Sequence, residues 1–199
     1  NTSGDLGSGD FTLESWIYLN SRVNLYPTLF DNSAANTNRF ALWLGHNSNS
    51  TTKYNINVAG TTTNSTASLT YNVWIHIAVV RGSGTIKFYI NGVLDTTISS
   101  SANLSGATTA YIGGSSADSA NCTMNGYVSN FRIVKGTAVY TSNFTPPTAP
   151  LTAIANTNLL TCNSGTSIDY SLLGSTVSQS GAPTVQKFSP FATVTVPTY

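Results

Sequence analysis

The chain has 199 residues, of which 40% are hydrophobic and 11% aromatic, and this content excludes wholesale disorder. Charged residues make up only 8% and the formal net charge is +1, so we expect neither nucleic acid nor anionic lipid as an electrostatic partner. No apolar run approaches the ~20 residues that span a bilayer, which argues against membrane insertion.

The predicted elements are strands throughout, because most apolar runs alternate with polar residues at a period of two. Clusters of Gly, Asn, Ser and Thr separate them, and no stretch has helical periodicity. The predicted strands, in chain order, are residues 11–19, 27–31, 39–45, 53–59, 73–81, 85–91, 93–98, 110–113, 126–135, 158–161 and 192–197. This spacing favours an antiparallel two-sheet sandwich, and we expect Trp16, Trp43 and Trp74 in its core.

Residues 73–97 (VWIHIAVVRGSGTIKFYINGVLDTT) carry the clearest local signal. Asn91-Gly92 stands between two alternating apolar runs, where a type I′ turn needs a positive φ at both central residues. The segment therefore predicts three consecutive antiparallel strands.

Several motifs occur together and in order: FTLESWIY (11–18), WIHIAVVR (74–81), KFYINGVL (87–94), AYIGG (110–114) and GYVSNFRI (126–133). They resemble the laminin-G-like branch of the concanavalin A-like lectin/glucanase superfamily. The continuation to NTNLLTCNSGT and FSPF is similar to versions in bacteriophage structural proteins and bacterial surface proteins. The resemblance implies an all-β jelly-roll domain over residues 1–191, followed by a β-prone tail at 192–199.

Catalysis by the enzyme branch of this superfamily would require paired carboxylates. The chain contains a single glutamate, Glu14, and its aspartates are scattered. We expect Glu14 to be solvated or to form a structural ion pair. His76 is predicted to be a hydrogen-bonded core residue and His46 a loop residue, so we do not expect an enzyme.

Calcium is the cofactor that the resemblance suggests, since relatives bind it at loop edges through oxygen ligands. Asp31 and Asp118 are the candidate ligands, and an ordinary solvated turn aspartate is the alternative for each. The side chains that could stack on a sugar are Trp43, Tyr54, Tyr71 and Tyr111.

Cys122 and Cys162 are the two cysteines of the chain. A disulfide between them would clamp a loop to the predicted strand at 158–161. The alternative is two unrelated thiols, because sequence does not give the Cα separation that a disulfide requires.

The leading functional hypothesis is a non-enzymatic structural or adhesive subunit of a virion appendage or extracellular filament, assembled from neighbouring copies. The alternative is a lectin-like module that recognises a glycan on a cell surface. Both hypotheses place the protein outside cells, at a cell surface or on a virion, and a surface rich in hydroxyl and amide groups suits that location.

The tail at 192–199 (ATVTVPTY) yields the first prediction. Relatives usually have a further strand before the segment that corresponds to residues 7–11, so an edge is expected to be open. We expect the tail to fill it, within its own domain or in the next copy. Deleting residues 192–199 should then lower the melting temperature or reduce the number of copies that assemble. Unchanged values of both would leave the tail an ordinary terminal strand or linker.

Overall fold

A computed structural model describes residues 4–32, 36–115, 120–164, 168–171 and 174–191 of the chain. Within them, the regular structure is almost entirely β. The strands are β1 (Phe11–Leu19), β2 (Thr28–Asp31), β3 (Phe40–Leu44), β4 (Lys53–Val58), β5 (Thr61–Ser68), β6 (Trp74–Gly82), β7 (Thr85–Ile90), β8 (Val93–Ser99), β9 (Tyr111–Ile112), β10 (Gly126–Lys135) and β11 (Thr157–Thr161). One 3-10 turn covers Asn36–Asn38. Within the described ranges, the structure contains no helix that could cross a membrane.

The strands form two antiparallel sheets, which confirms the predicted sandwich. One sheet has six strands in the order β11-β10-β1-β6-β7-β8, and the other has five in the order β5-β4-β3-β2-β9. Alternation along β1 sends Phe11, Leu13, Ile17 and Leu19 into the core between the sheets. The intervening side chains therefore lie on the outer face of the six-stranded sheet.

The β7–β8 hairpin turns at Asn91-Gly92, as predicted. Both residues have a positive φ, 49° for Asn91 and 76° for Gly92. A Cβ on Gly92 would lie 1.8 Å from the carbonyl oxygen of Phe144, so only glycine fits at this position. The Asn91 side chain accepts a hydrogen bond from the backbone N–H of His76, which ties the turn to β6.

β5 was not among the predicted strands. Its sequence, TTTNSTAS, lacks the apolar alternation that a half-buried strand usually has, and only Ser65 in it is buried. The strand instead pairs with β4 along an edge of the five-stranded sheet. Ala59 and Gly60, both at positive φ, make the tight turn that brings the chain back. The predicted strand at 192–197 lies outside the described residues.

Arg81 is buried between the sheets, although it is charged. Its guanidinium donates to the carbonyl oxygens of Gly9 at 2.7 Å, Ala102 at 2.8 Å and Gly7 at 2.6 Å. It also lies 5.0 Å from the centroid of the Phe11 ring. These bonds satisfy the buried charge and fix the segment before β1 against the loop after β8.

The outer face of the six-stranded sheet is covered by residues 137–151, which we call the strap. Tyr140 and Phe144 of the strap stack 3.6 Å apart and pack with Val80 and Tyr89 in a second, smaller apolar cluster. The strap, which contains Pro146, Pro147 and Pro150, is thus an ordered covering layer. The outward side chains of the five-stranded sheet are also mostly buried, and the more exposed ones lie toward β5 and β9.

The three tryptophans are not in the core between the sheets, which contradicts the prediction. Trp16 and Trp74 alternate out of phase with the core residues of β1 and β6 and are half-buried on the outer face. Trp43 lies on the outer face of the five-stranded sheet, because Leu42 and Leu44 take the inward positions of β3.

Candidate functional site

The outer face of the five-stranded sheet carries a set of polar and aromatic side chains. Ile56 and Val58 of β4 point into the core, so Asn55 and Asn57 point outward. Cross-strand pairing adds neighbours from β2, β3, β5 and β9 on the same side. We call this set the polar face; it consists of Asp31, Arg39, Trp43, Asn55, Asn57, Thr62, Asn64 and Tyr111.

Asp31 is held by two neighbours that use both of its carboxylate oxygens. Arg39 donates from Nε to Oδ1 at 3.2 Å and from its terminal nitrogen to Oδ2 at 2.6 Å. The Ser115 hydroxyl donates to Oδ2 at 2.7 Å. Asp31 is 1% exposed and already paired with a guanidinium, and its role as a calcium ligand remains a prediction. Its counterpart, Asp118, lies outside the described residues.

No cluster of three or more His, Cys, Asp and Glu side chains suited to a metal occurs in the part of the chain that the structure describes.

Trp43 lies within a row of side chains rather than on an open surface. The Arg39 guanidinium carbon is 5.3 Å from its ring centroid, and the His46 ring centroid is 4.5 Å away. Tyr26 continues the row beyond His46 at 4.6 Å. Trp43 is 6% exposed, so in this arrangement it supports Arg39 and does not offer a free face to a sugar.

His46 is a loop residue next to this row, as predicted. Burial lowers its pKa, and the positive charges of Arg39 and Arg22 lower it further. Its Nδ1 accepts a hydrogen bond from the backbone N–H of Ser48 at 3.2 Å. A neutral imidazole at pH 7 fits this environment.

Tyr54 is completely buried and belongs to the core, which contradicts its candidacy as a stacking residue. Its ring lies 5.4 Å from that of Phe88 on the opposite sheet. Burial raises the pKa of Tyr54 to about 12. The phase of β4 explains the error, since Tyr54 alternates in register with Ile56.

Tyr111 is half-buried on the edge strand β9, directly opposite Asp31 in the sheet register. Among the sugar-stacking candidates, it lies on the polar face with part of its side chain exposed. Tyr71 is exposed as well, but it lies in the loop before β6 of the other sheet.

The polar face also contains two hydrogen-bonded side-chain pairs, each with an asparagine of β4, that were not predicted from the sequence. Asn55 donates to the Asn64 side chain at 2.6 Å, and Asn57 donates to the Thr62 hydroxyl at 3.0 Å. The side-chain oxygen Oδ1 of Asn55 is buried and has no hydrogen-bond partner among the described residues. The alternation Y-N-I-N-V in β4 could have revealed this face, because it places asparagine at every outward position.

Glu14, the one glutamate, is fully buried on the outer face of the six-stranded sheet. Arg132 donates to its Oε1 from two nitrogens at 2.9 Å and 2.5 Å, and the Tyr140 hydroxyl donates to Oε2 at 2.8 Å. The structural ion pair that the sequence suggested is confirmed, and the solvated alternative is wrong. Through Tyr140, this carboxylate also fastens the strap to the sheet.

His76 is fully buried, as expected of a core residue, but it lies beneath the strap on the outer face of the six-stranded sheet, and neither ring nitrogen meets hydrogen-bond geometry within the described part of the chain. Its Nε2 lies 3.3 Å from Oε2 of Glu14, but the angle between the two groups does not satisfy the geometry of a hydrogen bond. Trp16 and Phe144 pack against the ring edge to face at 5.2 Å and 5.7 Å. The ring is thus buried between two aromatic side chains and the Glu14 carboxylate.

The two cysteines are present as thiols and are not joined by a disulfide. The Cys122 carbonyl accepts a hydrogen bond from Thr28 of the five-stranded sheet. The Cys162 carbonyl accepts one from Asn130 of the six-stranded sheet. The second alternative, two unrelated thiols, therefore describes the structure.

The Glu14–Arg132 pair yields a prediction about acid stability. Burial alone would raise the pKa of Glu14, but contact with His76 and the charge of Arg132 outweigh it and lower the pKa. The pair therefore stabilises the fold fully above the unfolded pKa of about 4.3, and this stabilisation is lost as the pH falls through the lower folded pKa. We expect Glu14→Gln to lose about 3–5 kcal/mol of unfolding free energy at pH 7, and less at pH 3.

Urea denaturation at both pH values measures this difference. Asp5→Asn, at a half-buried position, is the matched control and should change stability by less than about 0.5 kcal/mol. In the double variant E14L/R132M, apolar packing replaces the pair, so it should be more stable than Glu14→Gln. A pH-independent loss in Glu14→Gln would contradict the assigned ion pair.

Comparison with known proteins agrees with the fold. A family model described as the concanavalin A-like lectin/glucanases superfamily matches residues 1–141. A candidate carbohydrate-binding protein from Bacteroides ovatus has a similar structure, with a TM-score of 0.58 and 15% identity. The similarity covers 77% of this chain, and this chain spans 45% of the length of that protein.

Domain 4 of AbnA, an extracellular arabinanase from Geobacillus stearothermophilus solved with arabinotriose, has a TM-score of 0.53 at 18% identity. The match covers 69% of this chain and 66% of that chain. Domains LG4-5 of the mouse laminin alpha1 chain give a TM-score of 0.48 at 15% identity, over 63% of this chain and 35% of that one. No curated protein matches the sequence. Because the family model covers more than half of the residues, the chain belongs to the concanavalin A-like lectin/glucanases superfamily.

Proposed function

We propose that the chain is a non-enzymatic, lectin-like module that binds a neutral glycan on the polar face of its five-stranded sheet. The observation that carries this proposal is the composition of that face. Amide, hydroxyl, guanidinium and phenol groups occupy its outward positions, and Arg39, Asn64 and Tyr111 are accessible at its margin.

The chemistry of these groups suits sugar hydroxyls. Arg39 is a pre-organised donor, because its bidentate bond to Asp31 and its position over Trp43 fix the side chain before a ligand arrives. The Asn64 amide carbonyl is engaged by Asn55, which leaves its NH2 group to donate outward. Tyr111 supplies a partly exposed ring at the sheet edge on which an apolar sugar face can stack.

A neutral ligand fits the charge of the chain. With 8% charged residues and a net charge of +1, the protein has no strong field to steer an ionic ligand. The guanidinium on the polar face is neutralised by Asp31, so an anionic sugar would gain little there. The two structural neighbours with carbohydrate-related names support the glycan class and suggest arabinotriose as a first probe.

The burial and pairing of Glu14 support the non-enzymatic part of the proposal. Glycoside hydrolysis uses two carboxyl groups about 5–9.5 Å apart that flank the scissile bond. The single glutamate of this chain is instead buried beneath the strap, with Arg132 and Tyr140 on its oxygens. Burial, together with the neighbouring Glu14 carboxylate, raises the pKa of Tyr140, so this hydroxyl remains a hydrogen-bond donor.

A second candidate function is the structural or adhesive subunit of a virion appendage or extracellular filament. It is favoured by exposed apolar side chains at the end of the sandwich where β1 finishes and β6 begins, among them Val23, Tyr71 and Val73. Such exposed apolar groups suit contact with neighbouring copies. An extracellular, cell-surface or particle-borne location is part of both candidates.

The glycan proposal predicts a specific loss of binding. Arabinotriose and a glycan array provide the ligands, and calorimetry gives the dissociation constant of the best one. Tyr111→Ala and Asn64→Ala should each weaken binding about tenfold or more, because each removes a direct ligand contact worth at least 1.4 kcal/mol. Chelating calcium should leave the affinity unchanged, since Asp31 is already paired with Arg39.

Tyr170→Ala is the matched control, because it removes a partly exposed tyrosine away from the polar face. Its affinity should equal that of the wild type. If no glycan on the array binds, the scaffold function is favoured instead. If the control weakens binding as much as Tyr111→Ala does, the ligand does not lie on the polar face.

A further inference from the structure

Three aromatic side chains form a pocket on the outer face of the six-stranded sheet, at the end that the strap does not cover. Tyr18 of β1 is directly opposite Trp74 of β6 and Tyr127 of β10 in the sheet register. We call these three residues the aromatic cradle. Because they belong to three central strands of one sheet, their positions are fixed by the fold.

The cradle is filled by Phe188 of the FSPF motif. The Phe188 ring centroid lies 4.8 Å from Tyr18, 5.1 Å from Tyr127 and 5.2 Å from Trp74. Three residues later, Phe191 packs edge to face on Trp16 at 6.0 Å. The motif therefore uses two phenylalanines as anchors on adjacent aromatic sites.

The chain around these anchors, residues 180–191, is named here the anchor segment. Its described hydrogen bonds are both local: Gln186 donates to Thr184, and the Phe191 N–H donates to the Ser189 hydroxyl. From Ser180 to Lys187 every residue is exposed. The anchor segment is thus held to the body by ring contacts, with no described backbone bond to any strand.

The docked anchor leaves apolar surface uncovered. Phe188 is 45% exposed while it occupies the cradle. Val73, which precedes Trp74, is 44% exposed, and Tyr71 is 38% exposed. The exposed apolar surface of Phe188 and of the residues that precede Trp74 in sequence can still gain free energy from being covered.

We propose that the anchor segment is exchanged between two copies of the chain, each placing its Phe188 and Phe191 in the cradle of the other. The ring contacts are the same in the closed and the exchanged forms, so exchange costs no contact energy. Reciprocal exchange also brings the two cradle ends together, which covers Tyr71 and Val73 of both copies. The partner is therefore a second copy of this chain.

The connection is long enough for this exchange. Eight residues lie between Gln179 and Phe188, and an extended chain over these nine Cα–Cα steps spans roughly 30 Å. In dilute solution the closed form is favoured, because a short flexible tether holds the anchor at an effective concentration of about millimolar. Exchange dominates where copies are crowded to a similar local concentration, as in an assembly of neighbouring subunits.

The test is a complementation experiment with two folded variants. Phe188→Ala/Phe191→Ala has an empty cradle and no anchor, whereas Trp74→Ala has a damaged cradle and an intact anchor. Each alone should be monomeric at 100 μM by sedimentation velocity. Their equimolar mixture should form a 1:1 complex, because the anchor of one enters the free cradle of the other without a competing tether. Native mass spectrometry gives the stoichiometry.

The matched control mixes Phe188→Ala/Phe191→Ala with Trp74→Ala/Phe188→Ala/Phe191→Ala, which lacks any anchor, and no complex should form. If Trp74→Ala does not fold, Tyr127→Ala takes its place in both mixtures. A mixture that stays monomeric although both variants are folded overturns the proposal. So does a dimer of Phe188→Ala/Phe191→Ala alone, because it would show association that does not use the anchors.

Discussion

A single buried carboxylate joins the six-stranded sheet of this sandwich to the strap that covers it. Glu14 lies on the outer face of β1, a position that would face water in a simple two-layer sandwich. It can be buried there because Arg132 of β10 supplies the opposite charge and Tyr140 of the strap supplies a further donor. The same strap is also held by the Thr12 hydroxyl, which bonds Thr137 and Val139, and by Lys87, which donates to the carbonyl oxygen of Thr141.

The outer faces of the two sheets differ in the side chains that form them and in what covers them. The six-stranded sheet is covered by chain that follows it in sequence, first by the strap and then, at its far end, by Phe188 and Phe191. The five-stranded sheet keeps a polar outer layer whose buried members are paired with one another. A ligand that approaches this layer meets groups whose orientations are already fixed, which lowers the entropic cost of binding.

The sequence predicted the architecture well, because alternation and turn chemistry are local signals. β1, β6, β7 and β10 follow from alternating apolar residues, and the Asn91-Gly92 turn follows from its requirement for positive φ. β5 was missed because an edge strand rich in threonine needs no apolar face when its partner supplies the pairing. The tryptophans were misplaced because single-sequence reasoning assumes that large aromatics lie between the sheets, whereas here both outer faces are partly covered as well.

The site was less predictable than the fold. Tyr54 could have been assigned to the core from its phase with Ile56 and Val58, and Asn55 and Asn57 to the outer face from the same phase. The pairing of Asp31 with Ser115 could not have been predicted, because the two residues are 84 positions apart in the sequence and meet only through the fold. The distance between Cys122 and Cys162 could not be predicted either, because it depends on the sheet that each residue joins.

The central claim is that the polar face of the five-stranded sheet is the ligand-binding side. It is tested most directly by an NMR titration of the isotopically labelled protein with arabinotriose or the best glycan from the array. The account predicts that amide shifts change for residues of β3, β4, β5 and β9, with Arg39, Asn64 and Tyr111 among the largest. Shift changes confined to the strap and to β1, β6 and β10 would contradict it.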